Sequence, residues 1–328
     1  MVLSESEIRR CVGLDDDAIN AVADAFGRLS SGQANVPPIM IIDVPGNAGE
    51  VDVKSAYLTG LDSFAIKVAS GFNGNSALGL PNSSGLMIVI SAQTGFPLAV
   101  LLDNGYLTDV RTAAAGAVAA KYLAREKAKT VGVIGVGLQA RYQIRALQLV
   151  RPFERLVVFG RNPAKVRQYV SEMKRELKVP VATATDVSGL VAKSDIVVTT
   201  TPSRHPLIES AWLKPGLHIT AMGSDIPQKQ ELHTDVLVRA DRLVCDSRSQ
   251  CTRLGELHHA LEADALSPAR IEEIAELGEI VLGRRSGRRT EQEITICDLT
   301  GVGVQDTAIA RLAYDRAVER GLGLRVPS

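Results

Sequence analysis

The sequence predicts an α/β protein that combines a Rossmann-type, doubly wound parallel sheet with a second α+β domain. Its 328 residues exceed the roughly 100–200 residues of a single domain. From Lys129 onward, apolar strands alternate with helical segments, which is typical of βαβ units and a parallel sheet. Before Lys129, short strands are separated by turns rich in Pro, Gly and Asn, which favours a mostly antiparallel sheet.

The first part of the chain opens with a capping-box pattern, Ser4 with Glu7, and a predicted helix over residues 19–29. An alanine-rich segment at 108–124 has high helix propensity and is expected to connect the two domains. The strands predicted before it are 36–44, 51–57, 64–69, 86–91 and 98–102. The strands predicted after it are 131–136, 155–159, 194–200, 216–221, 242–245 and 293–296, with helices at 139–150, 163–177 and 304–320.

The composition argues against several classes of function. Lys and Arg together number 37, as do Asp and Glu, so the net charge gives no general attraction to nucleic acid or to an anionic membrane. The four cysteines form no CxxC pair, and no HxxxH or Asp/Glu/His cluster suggests a metal site. The adjacent His258 and His259 are expected to point apart on a helix. Because no apolar run approaches the ~20 residues of a membrane span, we expect a soluble, cytoplasmic protein.

A glycine-rich loop indicates a dinucleotide. The strand VGVIG leads into the segment GVGLQA at 135–140, and a predicted helix follows. Gly135 permits the tight turn, Gly137 lets the backbone approach a pyrophosphate, and Ala140 allows the helix to pack closely on the strand. The alternative is a βα turn in which the glycines serve tightness alone. We expect NAD(H) or NADP(H) as the cofactor.

The acidic residue that would decide between the two cofactors is missing. A NAD site usually carries Asp or Glu at the tip of the second strand, about 20 residues after the loop. That tip reads VFGRN at 158–162, with Arg161 beside the expected position. An arginine there either accepts a 2′-phosphate, which favours NADP, or stacks on the adenine and tolerates both cofactors.

Further motifs occur in a characteristic order along the chain. They are FAIK ending at Lys67, LTDVRTAA at 107–114, GSDIP at 223–227 followed by Lys229, AELGEI at 275–280 and DLTG at 298–301. In this order and spacing they resemble the ornithine cyclodeaminase/mu-crystallin family over essentially the whole chain. The resemblance is greatest to its ectoine-utilisation branch, which includes reductases acting on iminosuccinate.

The resemblance implies a homodimer with two domains in each chain. Residues 1–115 and 305–328 would form the substrate-binding and dimerisation domain, and residues 116–304 the NAD(P)-binding Rossmann domain. It also implies imine chemistry, in which NAD(P) takes hydride from the Cα of an amino acid or NAD(P)H delivers it to an imino acid.

Candidate site residues follow from residue chemistry and from the matched motifs. The rigid fork of Arg111 suits a substrate carboxylate, although a salt bridge would also explain it. Lys67 matches the family's active-site lysine and is expected to hold the carboxylate or manage a proton at the imine nitrogen. Asp225, otherwise a turn residue, matches the family's catalytic aspartate and is expected to pair with an iminium or activate water or ammonia. The expected cofactor contacts are Asn82, Arg111, Thr112, Gly135, Gly137, Leu138, Gln139, Arg161, Thr201, Met222, Gly223, Ser224, Lys229 and Gly301.

Two positions depart from the cyclodeaminase pattern. Lys54 falls where the cyclodeaminase has an active-site glutamate, and Met40 falls where it has a substrate-binding arginine. A lysine at 54 would repel the second amino group of ornithine and would suit a second carboxylate. Because Met40 cannot bind a carboxylate as an arginine would, Ser70, Asn73 and Asn75 are candidates for that task.

We therefore expect an NAD(P)H-dependent imine reductase or amino-acid dehydrogenase for a small imino acid, preferably iminosuccinate reduced to aspartate. The enzymatic alternative is an ornithine-type cyclodeaminase, which releases ammonia and recycles NAD within one turnover. The non-enzymatic alternative is a crystallin-like protein that holds the cofactor without turnover.

Overall fold

The computed structural model describes residues 1–326 and confirms the predicted α/β fold. The chain divides into two compact units. Unit 1 comprises Met1–Arg111 and the chain from Val302 onward, and unit 2 comprises Thr112–Gly301. Both divisions lie a few residues before the positions predicted from the sequence. No helix within residues 1–326 is long and apolar enough to cross a bilayer.

The strands and helices follow one another as short elements. The strands are β1 (Val2–Ser4), β2 (Ala34–Asn35), β3 (Met40–Val44), β4 (Gly49–Leu58), β5 (Ser63–Phe72), β6 (Ser83–Ser91), β7 (Pro97–Leu102), β8 (Thr130–Ile134), β9 (Arg155–Phe159), β10 (Val181–Thr183), β11 (Ile196–Thr199), β12 (His218–Ala221), β13 (Arg242–Cys245), β14 (Ala275–Glu276) and β15 (Thr295–Asp298). The helices are α1 (Glu5–Cys11), α2 (Asp16–Ser30), α3 (Tyr106–Leu123), α4 (Leu138–Val150), α5 (Pro163–Leu177), α6 (Val187–Lys193), α7 (Thr234–Arg239), α8 (Arg248–Leu254), α9 (Glu256–Glu262), α10 (Pro268–Glu272), α11 (Leu277–Val281) and α12 (Gly303–Glu319).

Unit 1 is built on a seven-stranded sheet. Its strand order is β1-β7-β6-β5-β4-β2, with β3 paired to β4, and only the β1–β7 pair is parallel. Helix α12 packs against β4 and β5. The Thr307 hydroxyl donates to the carbonyl of Ala56 at 2.7 Å, and a Cβ on Gly303 would lie 2.4 Å from the Ser55 carbonyl oxygen. These contacts hold the first turn of α12 directly against the central strands.

Two predictions for unit 1 have clear outcomes. The Ser4–Glu7 capping box is confirmed, with the Ser4 N–H donating to Glu7 Oε2 at 2.9 Å. The single strand predicted over 36–44 is wrong in its first half. Pro37 and Pro38 have no N–H to donate to a sheet, so β2 ends before them and β3 begins after them.

Unit 2 contains an eight-stranded, entirely parallel sheet. Its order is β10-β9-β8-β11-β12-β15-β13-β14. The strands are short apolar runs, as expected for a sheet covered on both faces, and two hydrophobic clusters pack against it. Helix α3 carries buried alanines, and Ala120 near its end and Ala124 just after it belong to one of these clusters. The sheet order reverses at β8, the strand that leads into the glycine loop.

Candidate functional site

The glycine loop of unit 2 connects β8 to α4. Gly135 has a φ of +112°, in the left-handed region, and a Cβ there would lie 2.6 Å from Oγ1 and 2.8 Å from the carbonyl oxygen of Thr200. Gly137 is the N-cap of α4, and a Cβ on it would meet nothing within 4 Å. The turn therefore requires glycine at 135, while Gly137 borders open space at the N-terminus of a helix. This arrangement fits a pyrophosphate.

Other residues predicted to contact the cofactor in unit 2 follow the carboxyl ends of its strands. In open α/β sheets, dinucleotides bind beyond these ends where the strand order reverses. Arg161 follows β9, Thr201 follows β11, and Met222–Ser224 follow β12. Gly301 follows β15, and its N–H donates to Asp246 Oδ2 at 2.7 Å. Thr112 lies apart from these loops in α3, where its carbonyl accepts from Gln143 Nε2 at 2.9 Å.

The tip of β9 carries the arginine that replaces an acid. Arg161 is exposed, whereas the neighbouring Asn162 caps α5 by accepting from the N–H groups of Ala164 at 3.0 Å and Lys165 at 3.1 Å. Asn162 is thus committed to its helix, and Arg161 is the side chain at this tip that is available to a ribose or a 2′-phosphate.

Asp225 lies in the loop after β12. Its side chain is about half exposed at 48%, and its Oδ1 lies 2.6 Å from Lys229 Nζ. The hydroxyl of Ser224 donates to the Lys229 carbonyl at 2.5 Å, which closes the loop behind Asp225. The structure therefore brings Ser224, Asp225 and Lys229 together. The Asp225 carboxylate is paired with a lysine and keeps a solvent-facing side.

Unit 1 contains a group of charged side chains that we call the cationic cluster: Lys54, Lys67 and Arg111 with the carboxylates of Asp52 and Asp306. Lys67 Nζ lies 3.3 Å from Asp306 Oδ2 and 3.9 Å from Asp52 Oδ2. Arg111 Nε lies 2.9 Å from Asp306 Oδ1. Asp306 is fully buried, and Lys67 and Arg111 are 2% and 6% exposed. Buried charges of this kind are stable only when paired.

Strand pairing determines which lysines meet. Lys54 on β4 stands directly opposite Lys67 on β5, so both side chains project from the same face of the sheet. Like charges opposite one another are unfavourable. Asp52, two residues before Lys54 and on the same face, lies 4.0 Å from Lys54 Nζ and offsets part of this repulsion. The cluster still holds three cations and two carboxylates, so it favours an anionic ligand.

Burial shifts the pKa values of this cluster. Desolvation lowers the pKa of Lys67 to about 8, with Arg111 and Lys54 acting in the same direction and Asp306 opposing them. For Asp306, burial acts to raise the pKa, but Arg111 and Lys67 outweigh it and hold the pKa below its usual range. Lys67 is therefore close to its titration midpoint near neutral pH, which suits a group that transfers a proton.

The polar side chains at the end of β5 and in the loop after it form hydrogen bonds with neighbouring backbone groups. Asn82 Oδ1 accepts from the Ser76 N–H at 3.0 Å, and Asn75 Nδ2 donates to the Pro81 carbonyl at 2.9 Å. The hydroxyl of Ser70 lies 3.4 Å from the carbonyl of Ser84 on the adjacent strand. Met40 begins the edge strand β3 and is 57% exposed. Within residues 1–326, these contacts do not join Asn75 or Met40 to the cationic cluster.

The expectation that His258 and His259 point apart is wrong. Their ring centroids are 5.2 Å apart, and one ligand atom from each lies within 4.8 Å of a carboxylate oxygen of Glu262. Glu262 is one helical turn after His258, a spacing that places both side chains on one face of α9. His259 Nε2 also lies 2.7 Å from the Lys229 carbonyl oxygen. His258 Nε2 lies 3.3 Å from Glu262 Oε2, so a local side-chain contact on α9 beside a loop contact explains this group.

Sequence reasoning missed two residues that organise the cationic cluster, the acid Asp306 and the amide Gln305. Asp306 and Gln305 lie in the segment GVGVQD, which reads as the apolar start of a helix. Gln305 Oε1 accepts from Arg111 Nη1 at 2.9 Å. The available signal was an Asp at the first turn of α12 among buried apolar residues, because a fully buried acid requires a partner.

A doubly wound parallel sheet with this glycine loop at its reversal point defines a dinucleotide-binding α/β protein. The profile of the ornithine cyclodeaminase/mu-crystallin family matches residues 1–321, and the chain belongs to that family. An uncharacterized cyclodeaminase of Sinorhizobium fredii is 50% identical over 323 residues, which cover 98% of this chain and 97% of the relative.

Two solved structures share the whole fold. The Delta(1)-pyrroline-2-carboxylate reductase of Thermococcus litoralis, in complex with NADH and L-proline, has a TM-score of 0.92 and 32% identity, covering 99% of this chain and 100% of that chain. The iminosuccinate reductase of Paracoccus denitrificans, in complex with NAD+, has a TM-score of 0.89 and 31% identity, covering 98% and 97%.

Proposed function

We propose that this protein is an NAD(H)-dependent reductase of a small imino acid, and that its substrate is dicarboxylic, with iminosuccinate reduced to aspartate as the preferred reaction. The observation that carries the proposal is the cationic cluster, which joins the half-buried Lys54 to the buried Lys67 and Arg111 through Asp52 and Asp306. The enzyme class is that of NAD-dependent oxidoreductases acting on C=N bonds. NADP(H) remains a candidate coenzyme because of Arg161.

Arg111 is the residue that we assign to the substrate carboxylate. Its Nη1 donates one hydrogen to Gln305, and its Nε lies beside Asp306. Each terminal nitrogen of a guanidinium carries two hydrogens, so Nη1 and Nη2 together can still form a two-pronged contact with a carboxylate. The buried acid thus fixes the arginine for ligand binding.

Lys67 is the residue that we assign to the proton. Reduction of an imine adds hydride to carbon and a proton to nitrogen, and the bound nicotinamide supplies the hydride. With a pKa of about 8, Lys67 gives up a proton more readily than an ordinary lysine. Asp225, which matches the family's catalytic aspartate and contacts Lys229, would pair with the iminium form of the substrate.

Lys54 is the basis for proposing a second carboxylate. Its side chain is 11% exposed and stands opposite Lys67. A protonated lysine here opposes the distal ammonium of ornithine and attracts a distal carboxylate. This disfavours the cyclodeaminase reaction and favours a dicarboxylic imino acid.

Charge reversal at Lys54 tests this assignment. We expect Lys54→Glu to lower the ratio of kcat/KM for iminosuccinate to that for a monocarboxylic imino acid by about tenfold or more, which corresponds to about 1.4 kcal/mol. The measurement is NADH oxidation at 340 nm with iminosuccinate, generated from oxaloacetate and ammonia, alongside monocarboxylic imines. Lys129→Glu, at a lysine whose side chain is 68% exposed, is the matched control and should leave the ratio unchanged. An unaltered ratio in Lys54→Glu would show that the charge argument is wrong.

A monocarboxylic cyclic imine is the second candidate substrate. Asp52 lies 4.0 Å from Lys54 and 3.9 Å from Lys67, so one cation of the cluster is already offset. The remaining excess suits a single carboxylate, as in the reaction named for the Thermococcus litoralis relative. The same substrate panel separates the two candidates, and absence of turnover with every imine would favour a crystallin-like role.

We also propose that the protein is a homodimer that associates through unit 1. β3 pairs with β4, and within residues 1–326 its other edge has no strand partner. This edge strand exposes Met40, Ile41 and Ile42 at 57%, 48% and 51%. An apolar, unpaired edge is a surface that proteins normally cover.

Light scattering coupled to gel filtration tests the dimer. We expect the wild-type mass to be that of two chains and Ile41→Lys to give single chains, because a charge on the apolar edge opposes association. Leu149→Lys, at a residue of α4 that is 48% exposed, is the control and should remain dimeric. A wild-type protein of one-chain mass would contradict the proposal.

A further inference from the structure

The side chain of Glu231 connects two loops at the carboxyl edge of the parallel sheet. Its Oε1 accepts from the Thr201 N–H at 2.6 Å, and its Oε2 accepts from the Gly223 N–H at 2.8 Å. Thr201 follows β11 and Gly223 follows β12, which are adjacent strands. One buried carboxylate therefore fixes the spacing of two loops where the cofactor is expected to bind.

The same carboxylate closes the loop that carries Asp225. This loop runs from Gly223 to Glu231, so the contact of Glu231 with the Gly223 N–H joins its two ends. A Cβ on Gly223 would lie 2.4 Å from Glu231 Oε2. Glycine is therefore required at 223 for the carboxylate to reach the backbone, and the position of Asp225 depends on this closure.

A second carboxylate supports the first. Glu256, at the start of α9, accepts from the N–H groups of Glu231 at 2.8 Å and Leu232 at 3.2 Å. Asp298 Oδ2 in turn accepts from the N–H of Leu257 at 3.0 Å. Both Glu231 and Glu256 are buried, at 0% and 1% exposed. Buried acids are costly unless each accepts hydrogen bonds, so a chain of three that ends on the cofactor edge is a specialised arrangement.

The location of these loops indicates which half of the cofactor they serve. A dinucleotide spans the reversal point of the sheet, with its adenosine half on the side of the second strand, here β9. β11 and β12 lie on the other side of β8, so their loops correspond to the nicotinamide half.

We propose that Glu231 is a positioning residue for the nicotinamide half of the cofactor and for Asp225, acting through the Thr201 and Gly223 loops. The inference rests on the proposed function for its catalytic consequence, but not for its effect on cofactor binding. Gln at 231 keeps the size of the side chain but presents an NH2 group to one of the two N–H donors. One loop is thereby released while the fold is retained.

Unit 2 offers a matched comparison at its opposite edge. Asp195 Oδ2 accepts from the N–H groups of Lys129 at 2.8 Å and Thr130 at 3.0 Å, at the amino ends of β8 and β11. It is another carboxylate that bridges backbone amides, but it lies away from the edge where dinucleotides bind. Asp195 Oδ1 also pairs with Arg125, so Asp195→Asn reports the effect of losing a carboxylate bridge and its ion pair away from the cofactor edge.

The experiment compares the dissociation constants of NADH and ADP-ribose for the full-length wild type, Glu231→Gln and Asp195→Asn. We expect both variants to melt at lower temperature, and only Glu231→Gln to weaken NADH by about tenfold while binding ADP-ribose within twofold of wild type. In the reductase assay, kcat of Glu231→Gln should fall more than the KM of the imine rises. Gly223→Ala, which displaces the carboxylate from the other side, should give the same selective loss of NADH.

Equal changes for NADH and ADP-ribose in Glu231→Gln and Gly223→Ala would overturn the inference, as would a selective loss of NADH in Asp195→Asn. If Glu231→Gln does not fold, Gly223→Ala decides the question by the same ratio. The proposed reductase activity and the proposed role of Glu231 can be refuted independently. A protein without turnover on any imine refutes the reductase, yet the ratio of the two dissociation constants still tests the role of Glu231.

Discussion

Replacing Arg111 by lysine is expected to lower kcat/KM for the imino acid by about a hundredfold, corresponding to about 2.7 kcal/mol. Lysine keeps the positive charge but has no planar fork, so it cannot contact Gln305, Asp306 and a substrate carboxylate together. Steady-state measurement with NADH and a range of imine concentrations gives the value. Because the carboxylate is bound in both ground and transition states, much of the loss should be seen as a higher KM.

Arg311→Lys is the control for this prediction. Arg311 lies on α12, as Asp306 does, but pairs with Asp62, whose side chain is 71% exposed. Its replacement should leave kcat/KM within about twofold of wild type, because exposed ion pairs contribute little. If Arg111→Lys retained wild-type kcat/KM, the carboxylate would have to be bound elsewhere.

Replacing Asp306 by asparagine is expected to lower the free energy of unfolding by about 3 kcal/mol, because it leaves Lys67 and Arg111 buried without their common counter-charge. Urea unfolding measures the loss. Asp52→Asn is the matched control, because Asp52 belongs to the same cluster but its side chain is 28% exposed and lies 3.9 Å from Lys67. Its loss should stay below about 1 kcal/mol. Equal losses in the two variants would show that Asp306 is not the main counter-charge of Lys67 and Arg111.

The pH dependence of kcat/KM in the wild type and in Asp306→Asn tests the role of Lys67. In the wild type, Lys67 carries its proton below its pKa of about 8 and loses it above, so kcat/KM should fall on the alkaline side with a midpoint near pH 8. Among the neighbouring charges, Asp306 raises the pKa of Lys67 the most. Asp306→Asn should therefore move the alkaline limb to lower pH. If the alkaline limb did not move, Lys67 would not be the group that transfers the proton.

Local patterns account for the parts of the fold that the sequence predicts. The strand VGVIG, the turn at Gly135 and the following helix are specified by residues adjacent in the chain, as are the long strands β4 to β7. The short strands β1, β10 and β14 were not predicted. They contain two or three residues, too few to show an alternation, and each is defined by its pairing with another strand: β1 with β7, β10 with β9 and β14 with β13.

The residues of the candidate site likewise fall into those that local motifs predict and those that only contacts between distant segments reveal. Arg111 and Lys67 were predicted from motif and chemistry, but the acid that binds both belongs to α12, near the other end of the chain. Glu231 lies two residues after Lys229 of a matched motif, yet its importance depends on the Thr201 N–H that it meets from the loop after the adjacent strand. Pairing between distant segments gives these acids their roles, and a single sequence does not contain it.

The central claim is net reduction of an imine, and the stoichiometry of one reaction tests it most directly. Purified protein is incubated with NADH, oxaloacetate and ammonia, and NADH oxidised and aspartate formed are both quantified. We predict one aspartate for each NADH consumed, with no consumption when ammonia or protein is omitted. Conversion of ornithine to proline with release of ammonia and no net change in coenzyme, together with no aspartate from iminosuccinate, would contradict the account.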